Sequence, residues 1–380
     1  MRSNFQEYPD LCLINENEIS LLGMIQDRLA AVKTAMERHS LLCAKILIYL
    51  SLSVKALTIL HGRFYRSKAL KRQIDYFDIY FSPGYLAPGI VRDNKKVKRF
   101  TLIYDTIPLL FPNLSPFMKY FGYSWTKTLV DHLDSDDYCF SISKQSKKDF
   151  LAYCPDLIHE QILVTPLAAS ENFYCCTDVN KLKAVKEKYH IPSNKKYIFS
   201  LCTLEPRKNL LMSVRSFIKF VITNEIDDLV FVIGGGSHDR FVGILEKEIR
   251  SFEKYQDKII KVGYVDDEDL APLYSNSEFF VYPSLYEGFG LPPLEAMQCG
   301  CPVITSNTSS LPEVVGDAGI MVDPNSEEEI TAAMKKLYFD EALRKNLSEK
   351  GLARAQKFSW EKSVGLMVDE FRTVIELSEK

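Results

Sequence analysis

From residue 197 onward the chain alternates short β-branched and aromatic runs with amphipathic stretches, and this rhythm restricts the fold more than any other feature. YIFSLCTL, DLVFVIGG, KIIKVGYV, FFVYPS, CPVITS and GIMVDP read as strands. Between them, NLLMSVRSFIKF, GILEKEIRSFEK, DEDLAPLYSNS, PPLEAMQCG and SLPEVVGDA read as helices. Strands without polar alternation belong to a sheet covered on both faces, so the pattern predicts a parallel sheet between helical layers. The first half repeats the rhythm more faintly at DIYFSP, RFTLIYD, DDYCFSIS and QILVTP. At 380 residues the chain is long enough for two such α/β domains, each with its own core. The joint is expected within LAASENFYCCTDVNKLKAV, which gives domains over 1–175 and 176–357 and a closing helix over 358–380.

Bulk properties remove several function classes. Hydrophobic residues make up 46% and charged residues 26%, which suits an ordinary globular protein and not a disordered one. A formal net charge of -3 argues against a nucleic-acid partner, which calls for a basic surface. The nine cysteines and six histidines lack ligand-like spacing, so reduced thiols and no metal site are expected. The opening MRSNFQEYPD has no apolar core of the signal-peptide kind. The apolar run LLCAKILIYLSLSVKALTIL, interrupted by Lys45 and Lys55, reads as buried domain structure and not as a membrane span. Arg63, Arg66, Lys68, Lys71 and Arg72 follow it, a solvated helix face that also suits anionic lipid.

In doubly wound sheets, ligands sit beyond the carboxyl ends of the strands. Three conspicuous loops fall there: TLEPRKN, GGGSHDR and LYEGFGLPP. In the last, Gly288 and Gly290 free main-chain N–H groups, and Pro292 or Pro293 fits the first turn of the next helix, a start that binds phosphate. Glu295 is expected in that first turn, where a carboxylate can accept two hydrogen bonds from a ribose diol. Glu287, just before the glycines, is positioned for a second polyol. Arg207 and Lys208 supply a fork and a point charge for a diphosphate. The Gly234 to Gly236 run allows close approach but is not G-x-G-x-x-G, which disfavours a nicotinamide-dependent dehydrogenase.

SLYEGFGLPPLEAMQCGCPVITSNTSSLPEVVGDAGIMVDP, with LEPRKNL upstream and FSWEKSV near the end, resembles the retaining, nucleotide-sugar-dependent glycosyltransferases of the GT-B fold, the E-x7-E group 1 enzymes that include mannosyltransferases. The resemblance is specific over about residues 195–365 and weaker over 78–172. It implies two Rossmann-like domains facing across a cleft, with the last helix returning to the N-terminal one. It also implies that Glu287 faces the transferred sugar and Glu295 the ribose. Gly288, Phe289, Gly290 and Leu291, with Arg207, Lys208 and Val265, would complete the donor-binding set. Two departures stand out: residues 1–60 lack the family's glycine-rich opening, and Tyr104-Asp105 stands where relatives often carry His-Asp, leaving Asp105 to orient an acceptor hydroxyl. The implied partners are a nucleoside-diphosphate sugar as donor substrate, with no cofactor and no metal, and a glycan or lipid-linked glycan acceptor. The implied setting is cell-surface polysaccharide biosynthesis by a cytoplasmic protein with peripheral contact to the inner face of the cell membrane. An epimerase or phosphorylase on the same scaffold, and a catalytically silent nucleotide-sugar-binding protein, are the alternatives.

Overall fold

The computed structural model describes residues 77–113, 122–236 and 239–378. The apolar run 41–60, the basic cluster 63–72 and the divergent opening lie outside the described residues. The rest falls into two compact units. The smaller includes residues 77–81, 87–99 and 374–378; in it Ala87, Val91 and Val97 form a cluster with Tyr80 and Ile90. It holds most of strand β1 (Ile79–Ser82). The larger includes residues 82–86 and 100–373 and holds the site residues described below.

Residues 100–103 of β2 (Lys98–Ile103), with β3 (Asp137–Ser141) and β4 (Ile162–Val164), lie side by side in one sheet of the larger unit. β3 and β4 pair parallel, with Cys139 opposite Ile162. The other sheet has six strands: β5 (Lys196–Leu201), β6 (Leu229–Gly234), β7 (Ile259–Gly263), β8 (Phe280–Tyr282), β9 (Val303–Ser306) and β10 (Gly319–Val322). All five neighbouring pairs are parallel, in the order β10-β9-β8-β5-β6-β7. β6 is buried along its whole length, as a strand with helices on both faces must be. The chain winds outward from β5 through β6 to β7, then returns to β5's other side for β8, β9 and β10. The strand order therefore reverses between β5 and β8, and the crevice beyond their carboxyl ends is where a doubly wound sheet takes a ligand.

Six helices matter for the site: α1 (Tyr123–His132), α2 (Lys144–Tyr153), α3 (Leu210–Thr223), α4 (Leu291–Gln298), α5 (Leu311–Val315) and α6 (Trp360–Ser378). α3 buries Leu210, Val214, Phe217, Ile218 and Val221, one stripe at helical spacing against the sheet. It stops at Asn224, whose side chain donates to the Phe220 carbonyl at 2.8 Å. α6 buries Val364, Met367, Val368 and Phe371. Phe371 stands edge-on to Phe100 of β2 at 4.6 Å and to Phe140 of β3 at 5.3 Å, and Ser363 donates to the Pro166 carbonyl.

The glycines after β6 have a structural reason. Gly235 has φ +128°, and a Cβ there would lie 1.8 Å from the Cys202 carbonyl oxygen. Its N–H donates to Gly263 at 2.7 Å, and Leu204 N–H donates to Gly236 at 2.9 Å. This loop closes on the turns after β5 and β7. The described cysteines are free thiols, all buried except Cys175.

Candidate functional site

The loops after β5 and β8 meet at the switch point. After β5, Pro206–Lys208 forms one tight turn that ends on Asn209, in the left-handed region at φ 59°. The Asn209 side chain donates to the carbonyls of Pro283 (3.1 Å) and Pro324 (2.7 Å), and Leu285 N–H donates to the Arg207 carbonyl at 2.8 Å. The two loops are thereby stitched together, and their charged side chains converge.

Glu287 is the centre of that convergence and is 7% exposed. Its Oε1 accepts from Lys208 Nζ (2.7 Å), Tyr282 OH (2.9 Å) and Ser284 Oγ (2.6 Å), while Oε2 lies 2.8 Å from Arg207 Nη1. Arg207 also donates to the Tyr286 carbonyl at 2.6 Å and to Glu205 at 2.5 Å. Burial alone would raise the Glu287 pKa, but the Lys208 and Arg207 charges outweigh it and hold the carboxyl at about 2. Two carboxylates and two cations thus form a neutral, buried tetrad. The expectation of a basic pair free for diphosphate needs refining: both cations already have protein counter-ions, because charges this deep require them. Lys208, with three N–H donors and two protein acceptors, keeps one donor for an incoming oxygen.

The glycines bring the other parts to this centre. A Cβ on Gly288 would lie 2.7 Å from Asp105 Cβ and 2.8 Å from its Oδ2, so the missing side chain is what lets Asp105 pack against the loop. Gly290 takes φ +119° and starts α4. The N–H groups of Gly288, Phe289 and Gly290 find no acceptor among the described residues. Asp105 Oδ1 accepts from Ile107 N–H at 3.0 Å. Burial pushes its pKa up, partly offset by that N–H and by Arg207.

Other expected positions fall differently. Glu295 is the fifth residue of α4, one turn deeper than expected, because the helix already begins at Leu291 and both prolines fall within its first turn. Its Oε2 lies 3.2 Å from the hydroxyl of Tyr274. Burial, and then nearby Asp267, push its pKa up to about 7 despite the Tyr274 hydrogen bond. The Phe289 ring is buried against Phe358 at 5.8 Å, leaving only its backbone to a ligand. Val265 is 4% exposed and packs beside Gly234, a core position. Leu291 is the partly buried first residue of α4.

Glu295 carries a testable consequence. A folded-state pKa raised above the usual 4.5 means that the folded protein holds more protons than the unfolded chain between pH 4.5 and 7. Stability therefore falls as pH rises through that window. Glu295→Gln, which cannot ionise, is expected to gain in melting temperature relative to wild type on going from pH 5 to pH 8. Parallel melting curves for the two proteins across that range would contradict it.

Several residues of the site carried no motif. Ser143 caps α2 and also donates to the Gly288 carbonyl at 2.6 Å; Ser146 does so at 3.1 Å. Glu313 of α5 accepts from the first N–H groups of α2, Lys144 at 2.9 Å and Gln145 at 3.1 Å. Tyr286 donates to Asp149 at 2.5 Å and accepts from Gln145 at 3.0 Å. The S-x-x-S of SISKQS is a local signal for a helix cap, but nothing local marks the Gly288 carbonyl to which Ser143 donates. Among the described residues, no group of three His, Cys, Asp or Glu side chains could hold a metal ion. None of their helices is long and apolar enough to cross a membrane.

The model of the family described as "Glycosyl transferases group 1" matches residues 183–354. The chain is 32% identical over 325 residues to O-antigen chain mannosyltransferase B of Escherichia coli, covering 84% of this chain and 80% of that protein. It is 30% identical over 298 residues to the serotype-specific mannosyltransferase WbdA of Escherichia coli, covering 77% of this chain but only 35% of WbdA. The chain thus spans about a third of that relative. Among solved structures, sucrose-phosphate synthase from Thermosynechococcus elongatus superimposes with a TM-score of 0.65 at 19% identity, covering 87% of this chain and 79% of that one. The fold is GT-B, built on two α/β sheets, of which the six-stranded one is doubly wound among the described residues.

Proposed function

The chain belongs to the group 1 glycosyltransferases, and from that premise we propose that it transfers a hexose, mannose first among those to test, from a nucleoside-diphosphate sugar to a hydroxyl of a glycan or lipid-linked glycan, with retention of configuration. The observation that carries this reading is the neutral tetrad of Glu205, Arg207, Lys208 and Glu287 at the β5/β8 switch point, next to the loop N–H groups of Gly288, Phe289 and Gly290, which have no acceptor among the described residues, and to Asp105 packed on Gly288. The N–H groups and the remaining Lys208 donor suit a diphosphate at the start of α4. Glu295, one turn in, suits the ribose diol.

Glu287 is unsuited to serve as a base or nucleophile, since four donors occupy it and its pKa is about 2. Its fixed negative charge instead steadies positive character on the sugar ring as the bond to the leaving phosphate breaks. The acceptor hydroxyl attacks from the same face, and the departing phosphate oxygen takes its proton. Asp105 orients that hydroxyl. Catalysis is then chiefly electrostatic and positional.

Thermal shift with a panel of nucleotide sugars identifies the donor. Mass and anomeric analysis of the product formed with a glycan acceptor then tests transfer and retention. Conversion of the donor alone into a stereoisomer would replace this reading with an epimerase, and inverted product would remove retention.

Donor recognition is proposed to need no divalent cation, because cationic side chains and loop amides act on the diphosphate in its place. Transfer is expected to survive excess EDTA. Activity lost in chelator and restored by magnesium or manganese would refute this. The setting proposed is polysaccharide assembly on the cytoplasmic side of a membrane, with residues 63–72 supplying peripheral contact to anionic lipid.

A further inference from the structure

We infer that Tyr85, Tyr104 and Trp125 form a stacking subsite for the terminal sugar ring of the acceptor; this rests on the glycosyl-transfer reading and names the part of the acceptor that the protein grips. The three side chains are 55%, 45% and 50% exposed. Aromatic rings this large are normally buried for their apolar area, so three together on one surface mark a place where something else covers them.

The platform is held in place from several sides. The Tyr85 and Trp125 rings meet edge-on, with centroids 4.6 Å apart at 70°. Trp125 Nε1–H donates to the Gly84 carbonyl at 3.2 Å, which fixes the indole of α1 over the 82–86 turn. Tyr85 N–H donates to Ser82 Oγ at 3.1 Å. Gly84, at φ +91°, lacks the Cβ that would stand 3.0 Å from the Tyr104 ring, so the turn and the end of β2 close on each other. Neither the Tyr85 nor the Tyr104 hydroxyl has a hydrogen-bond partner among the described residues.

These features match a pyranose. The C–H bonds on one face of the ring point their partial positive charge at the negative face of an aromatic system, while the hydroxyls around the rim need donors and acceptors such as free phenols. Position agrees with chemistry. Tyr104 immediately precedes Asp105, whose carboxylate packs on Gly288 beside Glu287. Because Tyr104 and Asp105 are consecutive, a sugar resting on the platform is held by the same segment that carries the candidate acceptor-orienting carboxylate. An anionic lipid surface is the poorer match, because none of the three platform side chains carries a positive charge.

The chain has two tryptophans, so Trp360→Phe leaves Trp125 as sole fluorescent reporter. In that background, titration with α-linked mannobiose and mannotriose, with maltose and cellobiose alongside, is expected to change Trp125 emission saturably for at least one sugar. Tyr85→Ala is expected to weaken that binding about fivefold or more, whereas Tyr85→Phe, which keeps the ring, retains most of it. Equal melting temperatures for the two Tyr85 variants exclude misfolding as the cause. Absence of any saturable change, or a change indifferent to Tyr85→Ala, overturns the inference. So does an emission shift produced by phosphatidylglycerol vesicles and by none of the sugars, which would assign the platform to a membrane. If nucleotide sugars stabilise the protein while no glycan perturbs Trp125, the subsite fails and the transfer reading stands. Glycan binding with no nucleotide-sugar stabilisation has the opposite meaning.

Discussion

Glu287→Gln is expected to lower kcat at least tenfold, a loss of about 1.4 kcal/mol or more in transition-state stabilisation, while donor KM stays close to wild type or falls. The substitution keeps the volume of the side chain but removes the negative charge that Lys208 and Arg207 enclose at 2.7 and 2.8 Å. An unmatched positive charge remains, which does not harm ground-state binding of a diphosphate. The transition state loses the anion that opposes positive character on the sugar. Glu295→Gln is expected to do the reverse. A contact to the ribose is the same in ground and transition states, so its loss raises donor KM and leaves substantial kcat at saturation. Steady-state kinetics with the donor identified by the panel separates the two. Identical kinetic signatures would defeat this division of labour, and an inactive Glu295→Gln with normal donor affinity would reverse it.

The second large effect is on stability. Arg207→Met is expected to cost about 3–5 kcal/mol, because it leaves Glu205 and Glu287 buried without the cation between them. Arg207 is 8% exposed and its fork holds three separate acceptors, on Glu205, Tyr286 and Glu287. Arg207→Lys keeps the charge but cannot reproduce that fork, and an intermediate loss is expected. Urea midpoints at neutral pH measure both. A loss below about 1 kcal/mol for Arg207→Met would mean that water reaches the cluster and the tetrad is not a structural unit. The pH dependence follows the same logic. The depressed Glu287 pKa contributes stability that is fully present above the usual 4.5 and is lost as pH falls towards 2.

The alternation from residue 197 was enough to predict the strands β5 to β10, because side-chain burial on both faces of a sheet writes itself into composition without reference to any distant partner. The same holds for Gly290 and Pro292, which mark a helix start by local backbone preference, and for Glu287 beside them. Local rules also misplaced Glu295 by a turn, since the point where α4 begins depends on Gly290 adopting φ +119° beneath Leu311.

What tertiary structure alone decided is which groups share a charge or a hydrogen bond. Nothing in the order of residues tells that Arg207 and Lys208 would enclose Glu287, nor that Gly288 lacks a side chain to admit Asp105. Ser143 reaches a carbonyl 145 positions away, and Glu313 caps a helix 169 positions before it. Periodicity and backbone propensity act within a few residues and are therefore legible along the chain. Neutralising a buried charge requires a partner within about 4 Å in space, wherever the fold brings one, and only the folded chain identifies it.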